Sequence, residues 1–205
     1  MPNHLYHAAA IMKPIIETAR ISRSEAVYSD WLQVHRVRLS QSGQCLGARH
    51  VEHHGDAAVV LPFDPDRRVA TVISMPRSSL LHRGEETRIL ECPAGLIDSG
   101  ETPEQAARRE AFEEVGLALT SLELVVDSWT MPGVSTERSC LYVAPYSLTD
   151  RQGPGGGLAD ENEMIETYEI ALVDLRNAAI SGQLSDLKLL VLVLYLMATK
   201  PFLFR

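Results

Sequence analysis

The spacing of apolar and polar residues predicts a mixed α/β protein. Residues 57–63 (AAVVLPF) and 69–75 are nearly continuous apolar runs, as expected of strands buried on both faces. Asp64-Pro65-Asp66 between them predicts a tight turn, and so a hairpin. Upstream, residues 29–40 are rich in aromatic and β-branched residues and predict a strand. A turn at Ser42-Gly43-Gln44 then lets 45–54 return as its partner. Residues 1–28 have weak periodicity and receive no assignment. Further strands are predicted at 89–92, 122–130, 140–146 and 164–171. Short helices are predicted at 173–181, ended by Gly182, and from a cap at Ser185 or Asp186 to about 197, with Pro201 beyond. Residues 147–163 form a long loop whose run Gly153–Gly157 is incompatible with regular structure.

One helix has sharper signals. Thr102 is an N-cap, Pro103 suits the first helical position, Gln105 completes a capping box, and Gly116 is a natural stop. These bound a helix over 103–115. On it Glu110, Glu113 and Glu114 share one face, while Ala107, Ala111 and Val115 lie alongside as a core-facing stripe. Like charges at this spacing repel by about 0.2–0.5 kcal/mol per pair. They also sit at the negative end of the helix dipole, where a cation is favoured. A hard divalent cation relieves both problems. A solvated acidic face with Arg108 and Arg109 as local partners is the competing reading, and the spacing alone leaves the two open.

Composition narrows the field. The 205 residues suffice for one well-buried domain plus an extension. A formal charge of −8 and the lack of a Lys/Arg run argue against a nucleic-acid surface. Cys45, Cys92 and Cys140 are scattered without metal-ligand spacing and read as reduced thiols of a cytoplasmic protein. The first residues do not read as a signal peptide, and the apolar stretch 187–197 is too short to span a bilayer. No serine-nucleophile elbow, Walker A loop or dinucleotide glycine pattern is present. The seven histidines form no HExxH-like ligand set, and His53-His54 reads as surface.

The stretch 95–117 reads Gly95, five residues, Glu101, seven residues, then Arg109-Glu110-Ala111-Phe112-Glu113-Glu114-Val115-Gly116-Leu117. This resembles the Nudix box of the Nudix hydrolases at every fixed position; Ala111 is small where a larger aliphatic is common. The resemblance implies an α/β/α sandwich with a mixed sheet, here preceded by an N-terminal antiparallel β extension. The division expected is 1–54 for that extension and 55–205 for the Nudix domain. It further implies a Mg²⁺-dependent hydrolase, with Mn²⁺ able to substitute, acting on a nucleoside diphosphate linked to another group.

By the same resemblance, Glu110, Glu113, Glu114 and the Ala94 carbonyl are metal ligands. Arg109 orients the carboxylates, and Gly95, Glu101 and Gly116 are structural. Pro132, sixteen residues past Gly116 in a Pro-Gly-x-Ser/Thr-x-Glu setting with Glu137, resembles the ADP-ribose pyrophosphatase branch. Residues 157–163 (GLADENE) resemble the catalytic loop of that branch, in which Glu161 or Glu163 is the general base; a box glutamate such as Glu113 is the alternative. The glycines ahead of it would serve as a hinge. Arg77 matches an arginine that reaches substrate phosphates, and a surface arginine is the plainer reading. The implied substrate is ADP-ribose, cleaved to AMP and ribose 5-phosphate. Alternatives are GDP-mannose or another nucleoside diphosphate sugar, and a non-catalytic nucleotide sensor. In that branch the N-terminal sheet is exchanged across a homodimer; a packed subdomain of a monomer is the other possibility. Neither nucleic acid nor membrane is an expected partner.

Overall fold

The computed structural model describes residues 19–85, 88–157 and 164–205. They form two compact units: one ends at His54 and takes in Gly133–Ser135, and the other comprises Gly55–Pro132 and Thr136–Arg205.

The first unit is an antiparallel meander of β1 (Arg20–Ser29), β2 (Gln33–Gln41) and β3 (Gln44–His53), with β2 in the middle. Ser42 and Gly43 both have positive φ (50° and 78°), the geometry of a tight hairpin turn that twists with its strands. The predicted hairpin is therefore present. β1 lies in the stretch left unassigned: all ten of its residues are exposed, so no buried face imprints an alternation on its sequence. Val37 of β2 is buried, and the Trp31 ring stacks on His54 with centroids 5.8 Å apart. His54 also bonds Glu52, so it is a half-buried partner rather than a bare surface group.

The second unit is a sheet with helices on both faces. Its strands are β4 (Ala57–Asp64), β5 (Val69–Ser74), β6 (Ala94–Leu96), β7 (Glu123–Trp129), β8 (Arg138–Pro145) and β9 (Glu166–Ala171). The order is β7-β8-β4-β5-β9, with β6 also on β4. Only the β4–β8 pairing is parallel, which makes the sheet mixed. β4 has a divided edge: residues 57–59 pair with β6, whereas Phe63 and Asp64 pair with β5.

The continuous apolar run of β4 now has its reason. Val59, Leu61 and Phe63 point into one core, shared with α3 (Leu172–Ser181) and α4 (Leu187–Thr199). Ala58 and Val60 point into the other, shared with Ala106, Ala107, Ala111 and Val115 of α2 (Pro103–Val115). Alternate side chains of one strand thus serve two layers.

One local reading needs correction. Residues 89–92 are not a strand; Glu91 makes only an isolated bridge with Ile73, and the strand that pairs with β4 begins at Ala94. A short helix, α1 (Ser78–Arg83), follows β5 with no buried residue, so no apolar stripe announced it. Asp186 rather than Ser185 caps α4, accepting from Leu189 N at 2.7 Å.

Candidate active site

α2 carries the site, and its start is fixed locally. Thr102 Oγ1 accepts from Gln105 N at 3.2 Å, and Gln105 Oε1 accepts from Thr102 N at 2.8 Å, a reciprocal cap. Gly116 ends the helix in the left-handed region (φ 69°), with its amide bonded to Phe112 O and that of Leu117 to Ala111 O. The alanine stripe is fully buried against the sheet. This sets the rotation of α2 and turns Glu110 and Glu114 inward, so that both carboxylates are buried.

Arg109 holds the group together. Its Nη1 donates to Glu110 Oε1 at 2.5 Å and to Glu113 Oε2 at 3.1 Å. Nε and Nη2 meet the two Glu101 oxygens at 3.1 Å each, and Nη2 also donates to Leu96 O at 2.9 Å. Glu101 in turn accepts from Asp98 N at 3.1 Å. One guanidinium thus joins the loop before α2 to two of its acidic side chains. Bonding to Arg109 pulls the Glu101 carboxyl below its ordinary value, and the Arg109 pKa is raised by Glu101 first, against the cost of burial.

The strand–loop lead-in completes the site. Ala94 N donates to Glu114 Oε2 at 2.9 Å. A Cβ at position 95 would overlap the Glu110 carboxylate, so only glycine lets that side chain lie against the loop. The donor chemistry, three carboxylates and a neighbouring backbone carbonyl, fits a hard divalent cation. Two of those carboxylates are buried at the negative end of a helix, where positive charge is otherwise scarce. In the arrangement seen, the Arg109 guanidinium meets Glu110 and Glu113, and Arg151 reaches Val115 O at the helix end. Among the described residues no three acidic, histidine or cysteine side chains converge at metal-ligand spacing.

Other predicted site residues fall as follows. Arg77 is engaged with Glu91: Nε donates to Oε1 at 2.7 Å and Nη2 to Oε2 at 2.9 Å. Burial works against the Arg77 charge, and the paired carboxylate outweighs it, raising the pKa. The Glu91 carboxylate is buried, so this fork has a structural partner that the sequence did not assign to it. Pro132 lies in the turn between β7 and β8. Glu137 accepts from Ser139 Oγ at 2.8 Å, and its carbonyl accepts from Thr130 N at 3.3 Å. Glu161 and Glu163 lie outside the described residues. The glycines expected to act as a hinge are bonded: Gly153 N donates to Gly116 O, Gly156 N to Glu114 O and Gly157 N to Glu113 O. Arg151, which the sequence did not single out, donates to Val115 O at 3.0 Å. It sits 36 residues past Val115 in sequence, and no spacing rule connects the two.

Comparison with known proteins identifies the family. The family model described as NUDIX domain matches residues 53–188. An ADP-ribose pyrophosphatase of Escherichia coli (strain K12) is 39% identical over 123 residues, which are 60% of this chain and 58% of that protein. The chain therefore spans somewhat over half the length of the ADP-ribose pyrophosphatases it matches. A GDP-mannose pyrophosphatase of Citrobacter koseri is 31% identical over 149 residues, 72% of this chain and 76% of its own. A crystal structure of an ADP compounds hydrolase superposes with a TM-score of 0.69 at 22% identity, covering 90% of this chain and 97% of that one; at this identity the likeness speaks for the fold. With two thirds of its length matched and the box residues gathered around Arg109, the chain belongs to the Nudix family.

Proposed function

We propose that this chain hydrolyses the diphosphate of a nucleoside diphosphate sugar, with Mg²⁺ or Mn²⁺ as its cation. The observation that carries the reading is the intact acidic group of α2: Glu110 and Glu114 are buried, and Arg109 bridges Glu110, Glu113 and Glu101. Burying carboxylates beside one another is costly without positive charge to meet them. Glu110, Glu113, Glu114 and the Ala94 carbonyl would hold the cation. When bound, the cation supplies charge neutralisation on the diphosphate and activation of the attacking water. Arg109 keeps the carboxylates in position, and Glu101 keeps Arg109 in position. Glu161 or Glu163 takes the proton from the attacking water, with Glu113 as the alternative base.

ADP-ribose is the leading substrate, cleaved to AMP and ribose 5-phosphate, because the chain resembles ADP-ribose pyrophosphatases at Pro132 and over 157–163. GDP-mannose is second, since the GDP-mannose pyrophosphatase match spans more of both chains. We read residues 1–54 as a dimer-forming extension and 55–205 as the catalytic domain. We read the protein as cytoplasmic, a reading that the three free cysteines favour because thiols stay reduced there. No helix among the described residues is long and apolar enough to cross a membrane.

The test is a Mg²⁺-dependent hydrolysis screen over ADP-ribose, GDP-mannose, ADP-glucose and NADH. AMP released from ADP-ribose well ahead of the others is the expected outcome. Glu114→Gln should lower kcat/KM by more than about 10²-fold, because a ligand counts for more than the outer-shell partners that cost 10–100-fold. Full activity in that variant would remove the assignment of α2. Ligand-induced thermal stabilisation without turnover would instead make the chain a sensor.

A further inference from the structure

The last carbonyls of α2 are enclosed by later parts of the chain. Helices end with carbonyls that have no partner in the helix and must be met by caps, other segments or water. Here each carbonyl from Glu113 to Gly116 receives a donor from a later part of the chain. Gly157 N reaches Glu113 O at 3.1 Å and Gly156 N reaches Glu114 O at 2.8 Å. Glu114 O also accepts from Thr167 Oγ1 at 3.2 Å. Arg151 Nη1 reaches Val115 O at 3.0 Å. Gln152 N and Gly153 N both reach Gly116 O, at 2.9 and 3.1 Å. A backbone bond from Ala118 N to Asp150 O at 2.8 Å anchors the start of this collar.

The collar fits only with glycine at key points. Gly155 has φ 67°, and a Cβ there would lie 2.8 Å from Glu114 O and 2.9 Å from the Val115 backbone. A Cβ at Gly116 would overlap the Gly153 carbonyl. These contacts are backbone against backbone, so no side-chain rotation can relieve them.

We propose that Arg151 and Gly155 are positioning residues for the acidic site on α2. The collar fixes the carbonyls of Glu113 and Glu114, and with them the backbone from which two of the acidic side chains project. It also places a guanidinium and several N–H dipoles at the negative end of the helix, where the carboxylates are crowded. The site's capacity to gather a cation therefore depends on a segment that contributes no carboxylate to it. This rests on the reading of α2 as the cation-binding element.

The experiment measures binding of Mn²⁺ alone to the full chain, by the electron paramagnetic resonance signal of the free ion, with melting temperature recorded alongside. The variants are Gly155→Ala, Arg151→Met and Arg151→Lys. Gly182→Ala is the control: it is also a left-handed helix cap (φ 76°), but a Cβ there meets nothing within 4 Å. Gly155→Ala and Arg151→Met should weaken Mn²⁺ binding by about 10–100-fold, the cost typical of disturbing groups that orient ligands. Arg151→Lys should recover part of the loss, and Gly182→Ala should lower the melting temperature while leaving Mn²⁺ affinity unchanged. Wild-type affinity in both Gly155→Ala and Arg151→Met would overturn the proposal while leaving the site itself standing. Absence of Mn²⁺ binding by the wild type would overturn the reading of α2, and the role of the collar with it.

Discussion

Glu110 can lie where it does because residue 95 has no side chain. The atoms a Cβ would strike are the far end of the Glu110 side chain, not backbone, and Gly95 is not in the left-handed region. Gly95→Ala should therefore cost little stability, since the carboxylate can swing aside. It should still cut turnover by about tenfold or more, as a displaced ligand does. Melting temperature and kcat/KM measured on the same preparation separate the two effects. Arg77 should behave in the opposite way. Removing it in Arg77→Ala leaves the buried Glu91 carboxylate without its cation. Breaking a buried pair costs about 3–5 kcal/mol, reduced here because the Arg77 side chain is 37% exposed. The double variant Arg77→Ala/Glu91→Gln should be more stable than Arg77→Ala alone, as a double-mutant cycle would show. At this scale the caps and carboxylates were legible because each acts within a few residues of itself. Thr102 and Gln105 announce a helix start by their spacing. Arg151 on Val115 O and Arg77 on Glu91 are contacts between distant segments, and no local pattern carries them.

Elements were legible in proportion to what they bury. β4 declares itself because both of its faces are covered, and α2 because its caps and alanine stripe agree. β1 and α1 bury nothing in their own units, so their sequences carry no period to read. β9 is tied in by charge as well as by pairing. Its Glu169 receives the Arg67 guanidinium from the β4–β5 turn, the Tyr146 hydroxyl at 2.9 Å and Arg151 at 3.4 Å. Arg67 chiefly, then Tyr146, lowers the Glu169 pKa from 4.5 to about 2. A carboxylate depressed on folding adds stability that is present above its unfolded pKa and lost as pH falls toward the folded one. Thermal melts of wild type and Glu169→Gln should thus differ most above about pH 5, and the gap should close as pH falls toward about 2. A gap independent of pH would mean that Glu169 stabilises β9 without its charge.

On the scale of the whole molecule, the first unit leaves large apolar side chains in the open. Ile21, Val27 and Tyr28 of β1 are each more than half exposed. A second copy of the chain covering them would make the particle twice the mass of 22.7 kDa, which sedimentation equilibrium would register. Val27→Glu should then shift the population toward single chains. The second unit carries a different consequence, one that concerns time. Ala57 at the start of β4 pairs with Ser139 of β8, and 139 − 57 = 82 residues separate them. At 5–20 residues per second a ribosome takes roughly 4–16 s to travel that distance. During that interval a strand buried along nearly its whole length has been synthesised and its parallel partner has not. The hairpin with β5 forms early but pairs only Phe63 and Asp64, so most of β4 stays uncovered until β6 and β8 have been made.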